Sequence, residues 1–201
     1  MHDLTIVIPV KNPPDLDRFI RENFRILSAS WKVVVDSGGG ERLSRLPNTL
    51  WIQRQVPMWE ARRIGYEQVK TPFTLNLDVD TILPDGCVED ALALLRENSC
   101  DAVAIDYQPP QGHYAFGTSI WRTELLKKLY DYPPKSVEKL IKVGKQEWIT
   151  AFQNGFCECT YMWARLLRSE GRLESLGYRA IHIRKSACNL LREQRQVNFF
   201  Y

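Results

Sequence analysis

Phe73-Thr74-Leu75-Asn76-Leu77-Asp78-Val79-Asp80-Thr81-Ile82-Leu83-Pro84-Asp85-Gly86 decides the reading of this chain: an apolar, strand-like run delivers two carboxylates, one residue apart, to a Pro/Asp/Gly turn. Side chains two apart in an extended backbone point to the same side, so Asp78 and Asp80 are expected to converge on one ion. Carboxylate oxygens suit Mg²⁺ or Mn²⁺, which keep some of their waters and take further ligands from substrate phosphates. Context matters, because Asp15-Leu16-Asp17 spells the same acid-x-acid pattern. That copy follows Pro13-Pro14, where acidic residues favour a helix N-terminus.

Working outward, residues 58–69 have helical periodicity, with Ala61, Ile64 and Gly65 able to pack closely, and lead directly into the acid-bearing strand. Leu4 to Val10 is a short, nearly continuous apolar run, the pattern of a strand buried on both faces of a parallel sheet. Leu16, Phe19, Ile20, Phe24 and Leu27 then form one apolar helical stripe. Residues 31–35 read as a second strand, closed by Asp36-Ser37-Gly38-Gly39-Gly40, and residues 50–53 as a third. Downstream, helices are expected at 88–95, 124–129 and 158–169, and strands at 102–105, 114–121 and 178–183. Tyr130-Asp131-Tyr132-Pro133-Pro134, extending toward Gly144, is the candidate mobile loop. The strand–helix alternation predicts an α/β fold: a single Rossmann-like domain with a central, mostly parallel sheet flanked by helices.

Ligands of such sheets bind beyond the carboxyl ends of the strands. Lys11-Asn12, Asp36-Ser37-Gly38 and the Asp78/Asp80 pair should therefore share one rim. Carboxyl groups facing away from it, or locked to interior arginines, would undo this expectation.

With 201 residues, 44% of them hydrophobic and 25% charged, the chain has an ordinary globular composition. A formal charge of +3 does not argue for nucleic acid, which wants a clustered basic face. Bases do gather late, at Arg165, Arg168, Arg172, Arg179, Arg184, Lys185, Arg192 and Arg195. They read as a solvated helix face, or as a surface for an anionic acceptor, a phosphate or a membrane. Cys87, Cys100, Cys157, Cys159 and Cys188 are an odd set without a small secreted scaffold, which points to reduced thiols and a cytoplasmic location. The start of the chain lacks signal-peptide character, and no run approaches a membrane-spanning length. The end, Val197-Asn198-Phe199-Phe200-Tyr201, is expected to pack on the core, pair with a second copy in a homodimer, or touch a bilayer peripherally.

Taken in order, these segments resemble a GT-A-fold glycosyltransferase of the family-2-like group. TIVIPVKN, with Pro9 and Lys11, is similar to that family's first strand, and VVVDSGGG to the strand whose closing acid, here Asp36, contacts the donor nucleoside. WEARRIGYEQV resembles the family's alanine-arginine-asparagine-x-glycine helix, retaining Arg62 and Gly65 but carrying Arg63 for the asparagine. LNLDVDTILPDG is similar to its metal-binding DxD and proline turn, and FGTSIWRTELL to the strand and helix flooring the donor-sugar and acceptor site. FCECTYMWARLLRSEG resembles the glutamate–aspartate helix that carries the base, with Cys159 where the second acid is expected. The chain is short for the family and resembles a bare catalytic core.

The resemblance implies transfer of a sugar from a nucleoside-diphosphate sugar (UDP- or GDP-sugar) to a hydroxyl of a glycan, protein or lipid. Residues 1–107 would form the donor half and 108–201 the acceptor-side half. Mn²⁺ or Mg²⁺ would sit on Asp80, with Asp78 as co-ligand or ribose contact and His182 as a third ligand. Glu158 would be the base of an inverting reaction, its apolar neighbours Phe156, Tyr161 and Met162 raising its pKa, with Glu147 in reserve. Asp36 would bond the base or ribose, or only close an Asx turn. Arg62 would meet the nucleotide's charge, or pair with Glu60 or Glu67 on the surface. Gly117 and Thr118 would admit the donor sugar close to the backbone, or mark a bulge. Three rivals are weighed. A haloacid-dehalogenase-type phosphatase would use a DxD strand for an aspartyl-phosphate, but its signature strand normally comes first. A sugar nucleotidyltransferase would want a glycine-rich loop after the first strand. The third is a non-catalytic nucleotide-sugar-binding module that has lost the base.

Overall fold

The structure, a computed structural model, describes residues 1–108, 114–132 and 158–183. Strand β1 (Leu4–Val10) is buried at every residue. Its side chains alternate between two cores: Leu4, Ile6, Ile8 and Val10 enter one, Val7 the other. This is the period of two expected of a strand covered on both faces. Pro9 is tolerated because the Leu77 amide donates to the Val7 carbonyl at 3.1 Å, and Pro9 turns to that same edge beyond the last residue of β4 paired there. Its missing N–H thus falls where no ladder partner remains.

Strands β2 (Trp31–Asp36) and β3 (Thr49–Gln53) extend the sheet in parallel on one side of β1, and β4 (Phe73–Asn76) on the other. Then come β5 (Thr81–Ile82), β6 (Ala102–Gln108), β7 (Ser119–Arg122) and β8 (Leu173–His182). Among the described residues they complete one eight-stranded, curled sheet in the order β3-β2-β1-β4-β7-β6-β8-β5. Only β7 and β5 run against the other strands, so the carboxyl ends of β1, β2, β4, β6 and β8 share one rim. The expected α/β architecture, a mostly parallel sheet between helices, is what is observed.

Helices α1 (Leu16–Glu22), α2 (Phe24–Ala29) and α4 (Cys87–Arg96) cover one face through Phe19, Ile26, Leu27, Val88, Leu92 and Leu95. Helices α3 (Met58–Gln68), α5 (Thr123–Leu129) and α6 (Glu158–Arg168) cover the other through Ala61, Ile64, Leu126, Met162 and Leu166. Helix α3 lies so close to β1 that a Cβ on Gly65 would stand 2.5 Å from Val7 Cγ1. Gly65→Ala should therefore destabilise the fold by about 1–3 kcal/mol, read as a lower urea midpoint at unchanged slope. An unchanged midpoint would mean that the contact has slack.

Three expectations are corrected. The stripe over 16–27 is two helices, because Asn23 is buried at the break: its side-chain amide donates to Phe19 O (3.0 Å) and Thr81 O (2.8 Å) and accepts from Leu83 N (3.0 Å). Side-chain bonding of this kind competes with helix continuation. Within 114–121 only the end is strand; Phe116–Thr118 is a 3-10 turn. Finally, β8 begins at Leu173 rather than Tyr178, and its half-exposed side chains offered no apolar run to read.

Candidate active site

The link from β4 to β5 crosses the rim and is fastened as it goes. Asp78 N donates to Gly117 O at 3.0 Å, and Ile183 N to Asp80 O at 2.7 Å. Thr81 N donates to Asp78 O at 3.0 Å, so the two acids sit on a tight turn rather than on the extended strand expected. They remain neighbours, since the Asp80 charge is felt by Asp78. Pairing of β5 with β8 sets His182 opposite Thr81, which brings His182 Nδ1 to 3.6 Å from Asp80 Oδ1. Asp80 and His182 thus come together although about a hundred residues separate them in the chain. The other acid-x-acid motif behaves as its context predicts: Asp15 caps α1 by accepting from Arg18 N at 2.9 Å, and Asp17 pairs with Arg42 at the surface.

Arg62 corrects a second expectation. It is only 5% exposed and pairs with neither Glu60 nor Glu67. Close packing of α3 at Ala61 and Gly65 turns it inward, where its guanidinium forks: Nη2 bonds the Asp78 carboxylate and Nη1 the Glu158 carboxylate. Arg63, in the place of the family's asparagine, is the surface partner of Glu60. Asp78 is thus locked to an interior arginine, the outcome that undoes its expected place on the cation, and of the two acids the expectation is left to Asp80 alone. Asp78 also fills the space that Gly117 leaves, since a Cβ there would come within 1.9 Å of its Oδ2. Burial pushes the Asp78 carboxyl up, Arg62 pulls it back and Asp80 adds to the rise. Burial likewise raises Glu158, against the pull of Arg62 and of Tyr130, whose hydroxyl lies 2.5 Å from Oε1. Arg62 itself is held well above its ordinary value, because Asp78 and Glu158 outweigh the cost of its burial.

One guanidinium therefore faces two carboxylates, with Asp80 beside them. These acids keep part of their side-chain surface, 25% for Asp78, 21% for Asp80 and 16% for Glu158, so a ligand at the rim can reach them. The excess of negative charge fits a divalent cation. Among the described residues no group of three or more His, Cys, Asp or Glu side chains is arranged to hold a metal. Asp80 and His182 would supply two protein ligands and leave the other positions to water and phosphate, as Mg²⁺ usually requires.

The remaining expected residues divide. Lys11 is exposed at the end of β1. Asp36 is buried and turned into its own loop, accepting from Gly38 N at 2.7 Å and Gly40 N at 3.1 Å, which is the Asx-turn reading. Pro9 is buried within β1. Thr118 has no exposed surface and donates to Ile105 O at 2.6 Å. Gly117 is occupied by Asp78 as described. Glu147, Phe156, residues 133–144 of the candidate loop, bases 184–195 and the terminal aromatic run lie outside the described residues. Of the candidate loop, Tyr130 and Tyr132 are instead buried, at 7% and 2% exposure, and Arg165 Nη1 and Tyr161 OH bond Asp131 at 2.8 and 2.6 Å. Of the described members of the late basic cluster, Arg172 pairs with Asp101 and Arg179 with Asp106.

Sequence reasoning missed Tyr130; nothing in a Tyr-Asp-Tyr-Pro-Pro run marks a hydroxyl that reaches a glutamate 28 residues away. Cys159 Sγ accepts from Phe116 N at 3.4 Å, tying the start of α6 to the 3-10 turn that supports Asp78. Among the described residues Cys87 and Cys100 are free thiols, and no helix is long and apolar enough to cross a membrane.

No protein-family model matches the sequence, and no curated protein matches it. Solved structures do. S. aureus TarS 1–349 superposes with a TM-score of 0.60 at 16% identity, over 90% of this chain and 60% of that one. TarS 1–349 in complex with UDP gives 0.59 at 18% identity over 89% and 60%; its complex with UDP-GlcNAc gives 0.57 at 18% over 92% and 59%. The chain spans about 60% of the length of these TarS chains. The likeness is one of fold, which this chain shares with the TarS structures.

Proposed function

We propose that the chain is a divalent-metal-dependent glycosyltransferase that moves a sugar from a nucleoside-diphosphate sugar to an acceptor hydroxyl, with inversion and Glu158 as base. The observation that carries this reading is the gathering of Asp78, Asp80, His182, Arg62 and Glu158 at one rim of a fold shared with the TarS structures. The TarS complexes with UDP and UDP-GlcNAc make uridine donors the first to try. An aspartyl-phosphatase reading is disfavoured, since the first acid of the motif would be its nucleophile and Asp78 is held by Arg62.

A Mg²⁺ or Mn²⁺ ion on Asp80 and His182 would neutralise charge growing on the leaving diphosphate. The chain's own residues do the rest. Glu158 accepts the acceptor's proton; its oxygens already bond Arg62 and Tyr130, and each keeps a second lone pair. Tyr130 fixes the carboxylate plane, and burial keeps that carboxylate more basic than an exposed one. Lys11 stands at the rim as a counter-charge for phosphate.

Nucleotide binding tests this reading. UDP or GDP at about 100 times its Kd adds about 2.7 kcal/mol, or roughly 5–10 °C in melting temperature, and only when Mn²⁺ or Mg²⁺ is present. Equal stabilisation in EDTA would contradict metal dependence, and none with either nucleotide would contradict the donor class.

A further inference from the structure

The fork of Arg62 joins two parts of the site that come from distant stretches of chain. It stands on α3, Asp78 belongs to the turn after β4, and Glu158 opens α6. Both terminal nitrogens are used, Nε has no hydrogen-bond partner among the described residues, and the group packs 5.6 Å from the centre of the Phe116 ring. A planar guanidinium holds its two acceptors at a set separation; an ammonium, a point charge on a flexible stem, does not. The two carboxylates it spans are the acid beside the cation site and the base.

We propose that Arg62 is a positioning residue for the transfer reaction: its fork between Asp78 and Glu158 sets where the base stands relative to the donor. Binding of the nucleotide is not its task, because its buried position and both terminal nitrogens are committed to protein carboxylates. The Phe116 ring backs the guanidinium, and Tyr130 holds Glu158 by its other oxygen. This inference rests on the glycosyltransferase reading above, with Glu158 as base.

The test follows hydrolysis of nucleotide-sugar donors by the full chain, water serving as acceptor, across UDP- and GDP-sugars with Mn²⁺. Arg62→Lys keeps the charge and loses the fork, so kcat should fall about 10–100-fold while the donor KM moves less than about threefold. Because Arg62 acts through Glu158, the double variant Arg62→Lys/Glu158→Gln should be no slower than Glu158→Gln alone, within about threefold. Losses that multiply, or a KM that rises while kcat holds, would overturn the inference and leave the functional reading standing. A wild-type chain that consumes none of the donors would overturn the functional reading, and this inference with it. Should Arg62→Lys fail to fold, judged by near-UV circular dichroism, Glu158→Asp takes its place. It draws the carboxylate back from the fork, and an unchanged kcat would overturn the proposal, whereas a loss of about 10-fold or more at unchanged KM supports it.

Discussion

Asp80→Ala is expected to abolish the metal-dependent stabilisation by UDP or GDP and to lower donor turnover by about 10²–10⁴-fold, the several kcal/mol that a cation contributes at a leaving diphosphate. The reason is placement. Asp80 stands on the fastened turn, partly exposed and 3.6 Å from His182, whereas Asp78 is already held by Arg62. Asp17→Ala is the matched control, because that acid pairs with Arg42 on the surface beside the cap of α1. Melting scans with nucleotide and Mn²⁺ read both variants. Equal losses in the two would show that the acid-x-acid spelling, not its place at the rim, had been mistaken for a site.

Glu158→Gln should leave the nucleotide-induced shift in place and cut transfer or donor hydrolysis by about 10²–10⁴-fold, the usual worth of a general base. The amide keeps the size of the side chain and removes its basicity. In the wild type, activity should fall as pH drops through the Glu158 pKa, because only the carboxylate can take a proton. Burial places that limb above the ordinary range of an exposed glutamate, even against the pull of Arg62 and Tyr130. A pH–rate profile of kcat/KM reads it. Unchanged turnover in Glu158→Gln would move the base elsewhere.

Much of the fold of residues 1–107 was legible in the sequence because its signals are local. A buried parallel strand announces itself as an unbroken apolar run, as in β1, and the three acid- or base-tipped strand ends share a rim once the strands run in parallel. The helical reading of the Glu158 segment also rested on local periodicity, and α6 follows it. What was hidden depends on contacts between distant residues. The inward turn of Arg62 follows from how closely Gly65 meets Val7, which no periodicity records. Asn23, an ordinary helical position by pattern, leaves the helix because its side chain holds β5. Lys32 in β2 is buried, its ammonium donating to Leu27 O, Ser30 O and Pro47 O at 2.5, 2.9 and 2.6 Å, a set of contacts that no local pattern records. His182 could be named from the family likeness, but its approach to Asp80 comes only from the pairing of β5 with β8 at the far edge of the sheet.

In the proposed transferase Asp80 and His182 would hold a cation that meets the donor's diphosphate. Anomalous scattering from a crystal grown with UDP and Mn²⁺ tests it most directly. A single manganese peak is expected, bonded to Asp80 and His182 on one side and to both phosphates of UDP on the other. UDP bound at the rim with no manganese between it and Asp80, or manganese lodged at another acid cluster such as Asp15 and Asp17, would contradict it.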